Sequence, residues 1–453
     1  MYITRKIDAY LDEWYKNEDR LPLIIKGARQ VGKTESVRRF ANIHYKNFIE
    51  INFIEDNRYK MIIDDGFSPE NIIKNISLIN NNFNFEPRQT LIFFDEIQAF
   101  PNITTSLKFF KIDGRFDVIC SGSFLGINYK QIDSISVGYK TDYEMKSIDF
   151  EEFLWAKGYS PKMIDDLYSH LKNLQPFSET EITVYNNLFM DYCILGGMPA
   201  VVARYIENKN FSGINDIQNQ IILDYKADIR KYLEGLDQTR VMNVFNYIPV
   251  GLGKDNKKFQ ISKVAHGARS KNYIGAIEWL EDAGLIHVCY CLNFPELPLK
   301  GNYMGNNYKI YFCDTGLLLS LLDDEVKMDF KLNKNLGTYK GALYENLVAE
   351  ALVKNGFGLY FYKRENSTLE EDFFVRTINH LIPVEVKAGN TKSKALRELI
   401  NNNKYNDIQW GIKVAQSNLG FESNILTIPT FTIFLLRRYL NDLNQNNVKL
   451  ELK

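Results

Sequence analysis

The chain has 453 residues, of which 45% are hydrophobic and 25% are charged, and its formal net charge is −1. These are ordinary values for a globular protein, and a chain of this length divides into about two to four domains. The near-zero net charge argues against a protein that coats nucleic acid with its whole surface, but it is compatible with a local basic face. The five cysteines are odd in number and scattered, which favours reduced core thiols over a disulfide framework.

Hydrophobic runs bear on the cellular location. The sequence contains no run of about 18 apolar residues, the length that crosses a membrane, and residues 1–6 lack the apolar stretch of a signal peptide. We therefore expect a cytoplasmic protein with no membrane partner.

The first predicted elements lead into a glycine-rich loop. Residues 1–20 predict an amphipathic helix, and an apolar strand over residues 21–25 precedes a match to G-x-x-x-x-G-K-[ST]. The backbone N–H groups of such a loop cradle a polyphosphate at a helix N-terminus. We predict that Lys33 contacts the β- and γ-phosphates and that Thr34 ligates Mg²⁺. Lys33 is also predicted to be catalytic. The predicted nucleotide-binding residues are Gly27, Ala28, Arg29, Gln30, Val31, Gly32, Lys33, Thr34, Glu35, Asp95 and Ser121.

Two later strands end in polar residues. The apolar run of residues 91–94 reads as a buried parallel strand and ends in Asp95 and Glu96. In P-loop ATPases the first acid supports Mg²⁺ and the second is the base that orients and deprotonates the attacking water. The alternative is an ordinary strand before a solvated acidic turn. The strand of residues 116–120 ends in Ser121, where such folds place a residue that senses the γ-phosphate; the alternative is a plain turn, because Ser-Gly-Ser is also common in turns. Strands alternating with helices predict an α/β fold whose ligand lies beyond the carboxyl ends of a parallel sheet.

The middle of the chain has helical patterns. Residues 151–235 predict a helical lid, interrupted by Gly196-Gly197, which is either a hinge or a plain helix-ending turn. Residues 236–330 predict three helices and a hairpin, the layout of a winged helix-turn-helix. Its third helix either lies in a DNA groove or serves only for packing. The donors near the start of that helix are Lys263, His266, Arg269, Ser270, Lys271 and Asn272.

Residues 336–453 carry a second group of charged residues. A predicted helix contains Glu345, one strand contains Asp372, and the next contains Glu385 and Lys387 on one face. We predict that these three carboxylates bind Mg²⁺ and that Lys387 stabilises charge or activates water, with Asp372, Glu385 and Lys387 catalytic. The spacing is that of the metal-dependent nuclease fold of many restriction enzymes, so a restriction-endonuclease-like α/β domain is expected. A hairpin with a cross-strand ion pair is the alternative, and such folds also serve as inert scaffolds.

Together these motifs resemble AAA-type ATPases with a C-terminal domain of unknown function, DUF4143. The resemblance covers nearly the whole chain, through residues 27–34, 94–97, 121–123, 150–154, 196–199, 314–317, 341–348 and 383–389. It implies, in order, a P-loop ATPase domain, a helical lid, a winged helix and a nuclease-like end, over residues 1–150, 151–235, 236–330 and 336–453. It also implies ATP and Mg²⁺ as cofactors.

The sequence departs from the family pattern at two places. Tyr139 and Lys140 stand where an arginine is usual, and lysine lacks the planar bidentate fork of arginine. Slow hydrolysis, or the use of another residue such as Arg115, is then expected. Glu371 stands where valine is usual, and we expect this acid to leave metal binding by Asp372 undisturbed.

Three functional hypotheses follow. The first is an ATP-hydrolysing switch coupled to a DNA-directed C-terminal module. The second is a nucleotide-gated, metal-dependent DNA nuclease, and the third is a non-enzymatic regulator that binds DNA or protein in response to nucleotide. ATP and DNA are the expected partners, and a homo-oligomer is among the expected assemblies.

Overall fold

The structure is a computed structural model that describes residues 1–123, 136–254, 258–323, 325–332, 334, 336–389 and 392–445. Residues 446–453 of the predicted C-terminal domain lie outside the described residues. The chain divides into two units, the first made of residues 1–148 and 282–284 and the second of residues 149–281 and 285–453. Among the described residues, no helix combines the length and the apolar character that a membrane span requires.

The first unit is built on a parallel sheet. Its strands are β1 (Leu23–Lys26), β2 (Asn47–Asn52), β3 (Thr90–Asp95), β4 (Asp117–Gly122) and β5 (Thr141–Glu144). They lie in the order β2-β3-β4-β1-β5, and the neighbouring strands pair in parallel. The helices are α1 (Lys6–Lys16), α2 (Lys33–His44), α3 (Pro69–Ile79) and α4 (Leu107–Asp113). The predicted P-loop type of α/β fold is confirmed.

Strand β3 contributes side chains to the hydrophobic cores on both faces of the sheet. Successive strand residues point to opposite faces, so Ile92 and Phe94 enter one core with residues of α3, and Leu91 and Phe93 enter the other with residues of α1 and α2. All four side chains are fully buried, and burial of each stabilises the fold by about 1.5–3 kcal/mol. The continuous apolar run therefore fixes the position of the strand whose last residue is Asp95.

One predicted helix is shorter than expected. The pattern of residues 99–110 predicts a single helix, whereas the structure has two 3₁₀ turns, Ile97–Ala99 and Pro101–Ser106, before α4. The cause is Pro101, because the residue before a proline avoids helical angles, and Phe100 has φ −150°.

The second unit contains the remaining elements. Its helices are α5 (Phe150–Ala156), α6 (Pro161–Asn173), α7 (Glu179–Leu195), α8 (Pro199–Asn208), α9 (Ile214–Tyr232), α10 (Gly235–Leu252), α11 (Ser270–Asp282), α12 (Thr315–Ser320), α13 (Glu325–Lys331), α14 (Thr338–Lys354), α15 (Lys394–Asn401) and α16 (Leu436–Asn444). Its strands are β6 (Ile286–Leu292), β7 (Tyr303–Phe312), β8 (Tyr360–Lys363), β9 (Glu370–Glu371), β10 (Phe373–Arg376), β11 (Leu381–Lys387), β12 (Gly411–Ala415), β13 (Gly420–Glu422) and β14 (Ile425–Pro429).

The glycine pair that interrupts the helices after α7 is held in place. The backbone N–H of Gly197 donates to Asp314 Oδ2 at 2.6 Å, and Asp314 Oδ1 caps α12 by accepting from the Leu317 N–H at 2.9 Å. A single buried carboxylate thus ties the turn to the start of another helix. This geometry favours the helix-ending turn over the hinge.

The region predicted as a winged helix has only part of the expected pattern. Helices α10 and α11 and the antiparallel hairpin β6-β7 are present, but the expected second helix is a 3₁₀ turn, Ile261–Lys263. Strand β6 also pairs in parallel with β8, so the hairpin belongs to a four-stranded sheet in the order β7-β6-β8-β9. This sheet crosses the expected domain boundary at residues 330–336.

The C-terminal part of the second unit has its own sheet, in the order β10-β11-β12-β14-β13. Strands β11, β12 and β14 are parallel, and β10 and β13 pair antiparallel at the two edges. This mixed sheet agrees with the predicted α/β class. The restriction-endonuclease-like fold of the region stays a prediction.

Candidate functional site

The glycine-rich loop connects β1 to α2 at the carboxyl edge of the first sheet. Gly32 forms the N-cap of α2 with φ 98°, a conformation that side chains other than glycine rarely adopt. A Cβ atom on Gly27 would lie 2.3 Å from the Met145 carbonyl oxygen, so no other residue fits there. Both glycines of the motif are therefore required by the backbone itself.

The ammonium of Lys33 lies inside this loop. Its Nζ donates to the carbonyl oxygens of Gly27 at 3.0 Å and Ala28 at 2.8 Å. Burial lowers the pKa of Lys33 to about 8, although the carboxylates of Glu96 and Asp95 act in the opposite direction. An anion bound in the loop would supply the full negative charge that the loop carbonyls lack.

Asp95, at the end of β3, contacts two other predicted residues, Thr34 of α2 and Ser121 of β4. Asp95 Oδ2 accepts from the Thr34 hydroxyl at 3.0 Å, and Asp95 Oδ1 accepts from the Ser121 hydroxyl. Burial raises the pKa of Asp95. Because the carboxylate and the Thr34 hydroxyl are oxygen donors within hydrogen-bond reach of each other, they fit the ligand preference of Mg²⁺.

The proposed base, Glu96, is fixed at the end of β3. Its backbone is left-handed, with φ 57° and ψ 42°, and its carboxylate accepts from Gln98 Nε2. The Gln98 Oε1 atom accepts in turn from the Ser123 backbone N–H at 3.2 Å. Gln98 thus couples the acidic turn after β3 to the serine turn after β4. Sequence reasoning missed Gln98.

Arg5 is a second residue that sequence reasoning missed. It is 6% exposed, and its guanidinium donates to the carbonyl oxygens of Val31 at 2.8 Å and Lys146 at 2.7 Å. Since Val31 belongs to the glycine-rich loop, Arg5 ties the loop to the backbone at Lys146. No local motif marks it, because its partners are 26 and 141 residues away.

Other predicted residues lie elsewhere. The Glu35 side chain is 66% exposed and pairs with Arg38 at 2.9 Å. Arg115 precedes β4 at the end opposite to Ser121, a separation of about 20 Å at roughly 3.3 Å per residue, and it pairs with Asp113 at 2.8 Å. Lys140, at the amino end of β5, pairs with Asp142 at 2.6 Å. Arg115 and Lys140 are therefore remote from the nucleotide edge of their own chain.

In the second unit, two acidic residues of the predicted nuclease site, Glu345 and Asp372, lie with a further acid, Glu370, around a lysine. Lys309 Nζ lies 2.8 Å from Glu370 Oε1, 3.9 Å from Glu345 Oε2 and 4.0 Å from Asp372 Oδ1. Although burial alone would lower the pKa of Lys309, the carboxylates of Glu345, Glu370 and Asp372 raise it above its usual range. The lysine is therefore charged, and sequence reasoning missed it.

The other predicted nuclease residues have partners of their own. Lys387 Nζ lies 2.7 Å from Glu385 Oε1, and Asp372 Oδ2 accepts from the Val386 N–H at 2.9 Å. Burial, followed by the carboxylates of Glu385 and Asp372, raises the pKa of Glu371 well above its usual range. Within the described ranges, no three His, Cys, Asp or Glu side chains are arranged to hold a metal ion.

Comparisons with known proteins agree with the first and last parts of the sequence analysis. Residues 19–154 match the family model described as "AAA domain", and residues 340–431 match "Domain of unknown function (DUF4143)". The resemblance to AAA-type ATPases with a DUF4143 domain is thus confirmed. Residues 186–327 match a further family model, "Domain of unknown function (DUF8612)". A search of curated proteins finds no match.

Solved structures similar to this chain include the Walker-type ATPase PABY2304 of Pyrococcus abyssi. It is 16% identical, with a TM-score of 0.42, over 71% of this chain and 96% of its own. PCH-2 of C. elegans is 10% identical, with a TM-score of 0.28, over 45% and 62% of the two chains. The ORC1 protein of Aeropyrum pernix, solved in complex with DNA, is 11% identical, with a TM-score of 0.30, over 71% and 91%.

Proposed function

We propose that this chain, which carries an AAA-type ATPase domain, binds and hydrolyses ATP with Mg²⁺ and acts as a nucleotide-dependent switch. The observation that supports this most strongly is the meeting of Thr34, Asp95 and Ser121 at one edge of the sheet, beside the buried ammonium of Lys33. A fold does not by itself give a function, but these side chains form the donor set that phosphoryl transfer requires.

Each side chain has a distinct role in this proposal. Lys33 and the N–H groups of the loop bind the phosphates, and Thr34 and Asp95 hold Mg²⁺. When bound, Mg²⁺ neutralises charge on the phosphate oxygens. Glu96, oriented by Gln98, accepts a proton from the attacking water.

Titration of a fluorescent ATP analogue into Lys33→Ala tests the binding step. Loss of the charged donor is expected to weaken binding by about 100-fold or more. Lys46→Ala is the matched control, because Lys46 is 61% exposed and pairs with Glu86, and it should bind as the wild type does. Tight ATP binding by Lys33→Ala would overturn the assignment.

We further propose that the switch is coupled to DNA, which would bind at and just before the start of α11. Six donors there are exposed, in keeping with a surface for phosphate groups, namely Lys263, His266, Arg269, Ser270, Lys271 and Asn272. The alternative is that this region only packs within the second unit.

Fluorescence anisotropy of a labelled duplex, with and without ATP, separates the two alternatives. The double variant Arg269→Glu/Lys271→Glu is expected to weaken binding and to lower the salt dependence by about one unit of slope per lost phosphate contact. Lys162→Glu, an exposed charge reversal on α6, is the control. Equal affinity of both variants for the duplex would favour packing.

A further inference from the structure

The buried lysine in the second unit stands where the predicted nuclease site needs a metal. The Lys309 side chain is 1% exposed, and carboxylate oxygens of Glu370, Glu345 and Asp372 lie 2.8, 3.9 and 4.0 Å from its Nζ. Its Nζ also lies 4.8 Å from the centre of the Phe361 ring, a distance at which a cation is attracted to the face of a ring. The ammonium is therefore enclosed by anionic and π-electron groups.

The backbone of Lys309 is held in a strand pair. Lys309 is opposite Cys289 in the antiparallel β6-β7 pair, and β7 is an edge strand of the four-stranded sheet. A divalent cation needs carboxylate oxygens at about 2.0–2.6 Å. Placing one between Glu345 and Asp372 would bring two positive centres together in a buried site, where little water screens their repulsion.

The partners of the acids point the same way. The Glu370 carboxylate also pairs with Lys363 at 2.8 Å, and the Tyr311 hydroxyl donates to Glu345 Oε2 at 3.3 Å. One oxygen of the Glu385 carboxylate, the last predicted ligand, pairs with Lys387. The residues present therefore do not fit a nuclease-type metal.

We propose that Lys309 is the built-in cation of this carboxylate cluster and takes the place of the divalent metal. The cluster joins strand β7 to the C-terminal region by charge, and it neither binds Mg²⁺ nor cleaves nucleic acid. The C-terminal region is then a binding or scaffolding module, which separates this chain from a nucleotide-gated nuclease.

Binding of Mn²⁺ alone to the full chain, measured by electron paramagnetic resonance, tests this directly. The Asp95→Asn variant serves as the background, because it removes the metal site proposed in the first unit. We expect this protein to show no specific Mn²⁺ site and no cleavage of single- or double-stranded DNA. A bound Mn²⁺ that is lost when Asp372→Asn is added would overturn the proposal.

Removal of the lysine provides the converse test. Lys309→Met in the same background is expected to gain one Mn²⁺ per chain and a higher melting temperature in Mn²⁺, and both gains should vanish in Lys309→Met/Asp372→Asn. Folded Lys309→Met protein that gains no site would contradict the proposal. If Lys309→Met yields no folded protein in the absence of metal, Mn²⁺ present during refolding should restore it, and failure to do so would also contradict the proposal. The outcome is independent of ATP binding, so a failure here leaves the proposed switch intact.

Discussion

Replacement of Arg5 by alanine should loosen the glycine-rich loop from a distance. The guanidinium makes hydrogen bonds of 2.8 Å to the Val31 carbonyl and 2.7 Å to the Lys146 carbonyl, and bonds from a charged donor contribute about 1.5–3 kcal/mol each. Their sum is about 3–6 kcal/mol, and water that enters the vacated space offsets part of it. We therefore expect the free energy of opening of β1 and α2 to fall by about 3 kcal/mol, near the lower limit of that range.

Hydrogen exchange of the backbone amides in β1 and α2 measures this loss. A change of about 3 kcal/mol corresponds to roughly 100-fold faster exchange, and ATP binding should weaken by about tenfold because the loop is less preorganised.

Arg39→Ala is the matched control for this experiment. Its guanidinium pairs with Asp8 at 2.8 Å but is 40% exposed, so its loss should cost at most about 1 kcal/mol. Exchange rates in Arg5→Ala that stay within about threefold of those in Arg39→Ala would refute the reasoning.

Three further predictions concern charge. Because the pKa of Lys33 is about 8 in the unliganded protein and the protonated form binds phosphate, ATP affinity should be constant below that pH and fall by up to about tenfold per unit above it; a flat profile to pH 10 would contradict this. Arg115→Ala should leave the rate of ATP hydrolysis unchanged, since Arg115 lies at the opposite end of β4; a large loss would indicate action on a neighbouring chain.

Lys309 and Lys363 outweigh burial and lower the pKa of Glu370 from 4.5 to about 2, so Glu370 stabilises the fold above pH 4.5 and this contribution disappears as the pH falls to 2. In Glu370→Gln, the free energy of unfolding should therefore depend less on pH between 4.5 and 2 than in the wild type. An unchanged pH dependence would show that this ion cluster does not cause it.

The sequence anticipates how the predicted nucleotide-site residues are arranged, because the determinants of that arrangement are local. The loop glycines, Lys33 and the apolar run before Asp95 each encode their own backbone, and parallel strands bring the carboxyl ends to one edge. The two parts of the site that were missed from sequence have different causes. Gln98 follows a left-handed turn whose direction no periodicity reports, and Arg5 acts through partners distant in sequence.

The C-terminal cluster contains a residue that motif spacing does not report. The spacing of Glu345, Asp372, Glu385 and Lys387 matches a metal-site pattern. That pattern does not include Lys309, which lies on β7 more than 30 residues before Glu345. Lys309 lies on a strand that the sequence assigns to another domain. The pairing of β6 with β8 and the contact of β7 with the helix that carries Glu345 bring it among the acids.

Single-turnover hydrolysis of ATP by the wild type and Glu96→Gln tests the central claim most directly. The account predicts phosphate release by the wild type with Mg²⁺, and a variant that still binds ATP but releases phosphate about 10²–10⁴-fold more slowly. Glu86→Gln, which alters a carboxylate paired with Lys46 away from the site, should behave as the wild type. Hydrolysis by Glu96→Gln at the wild-type rate, or ATP binding without any turnover by the wild type, would contradict the account.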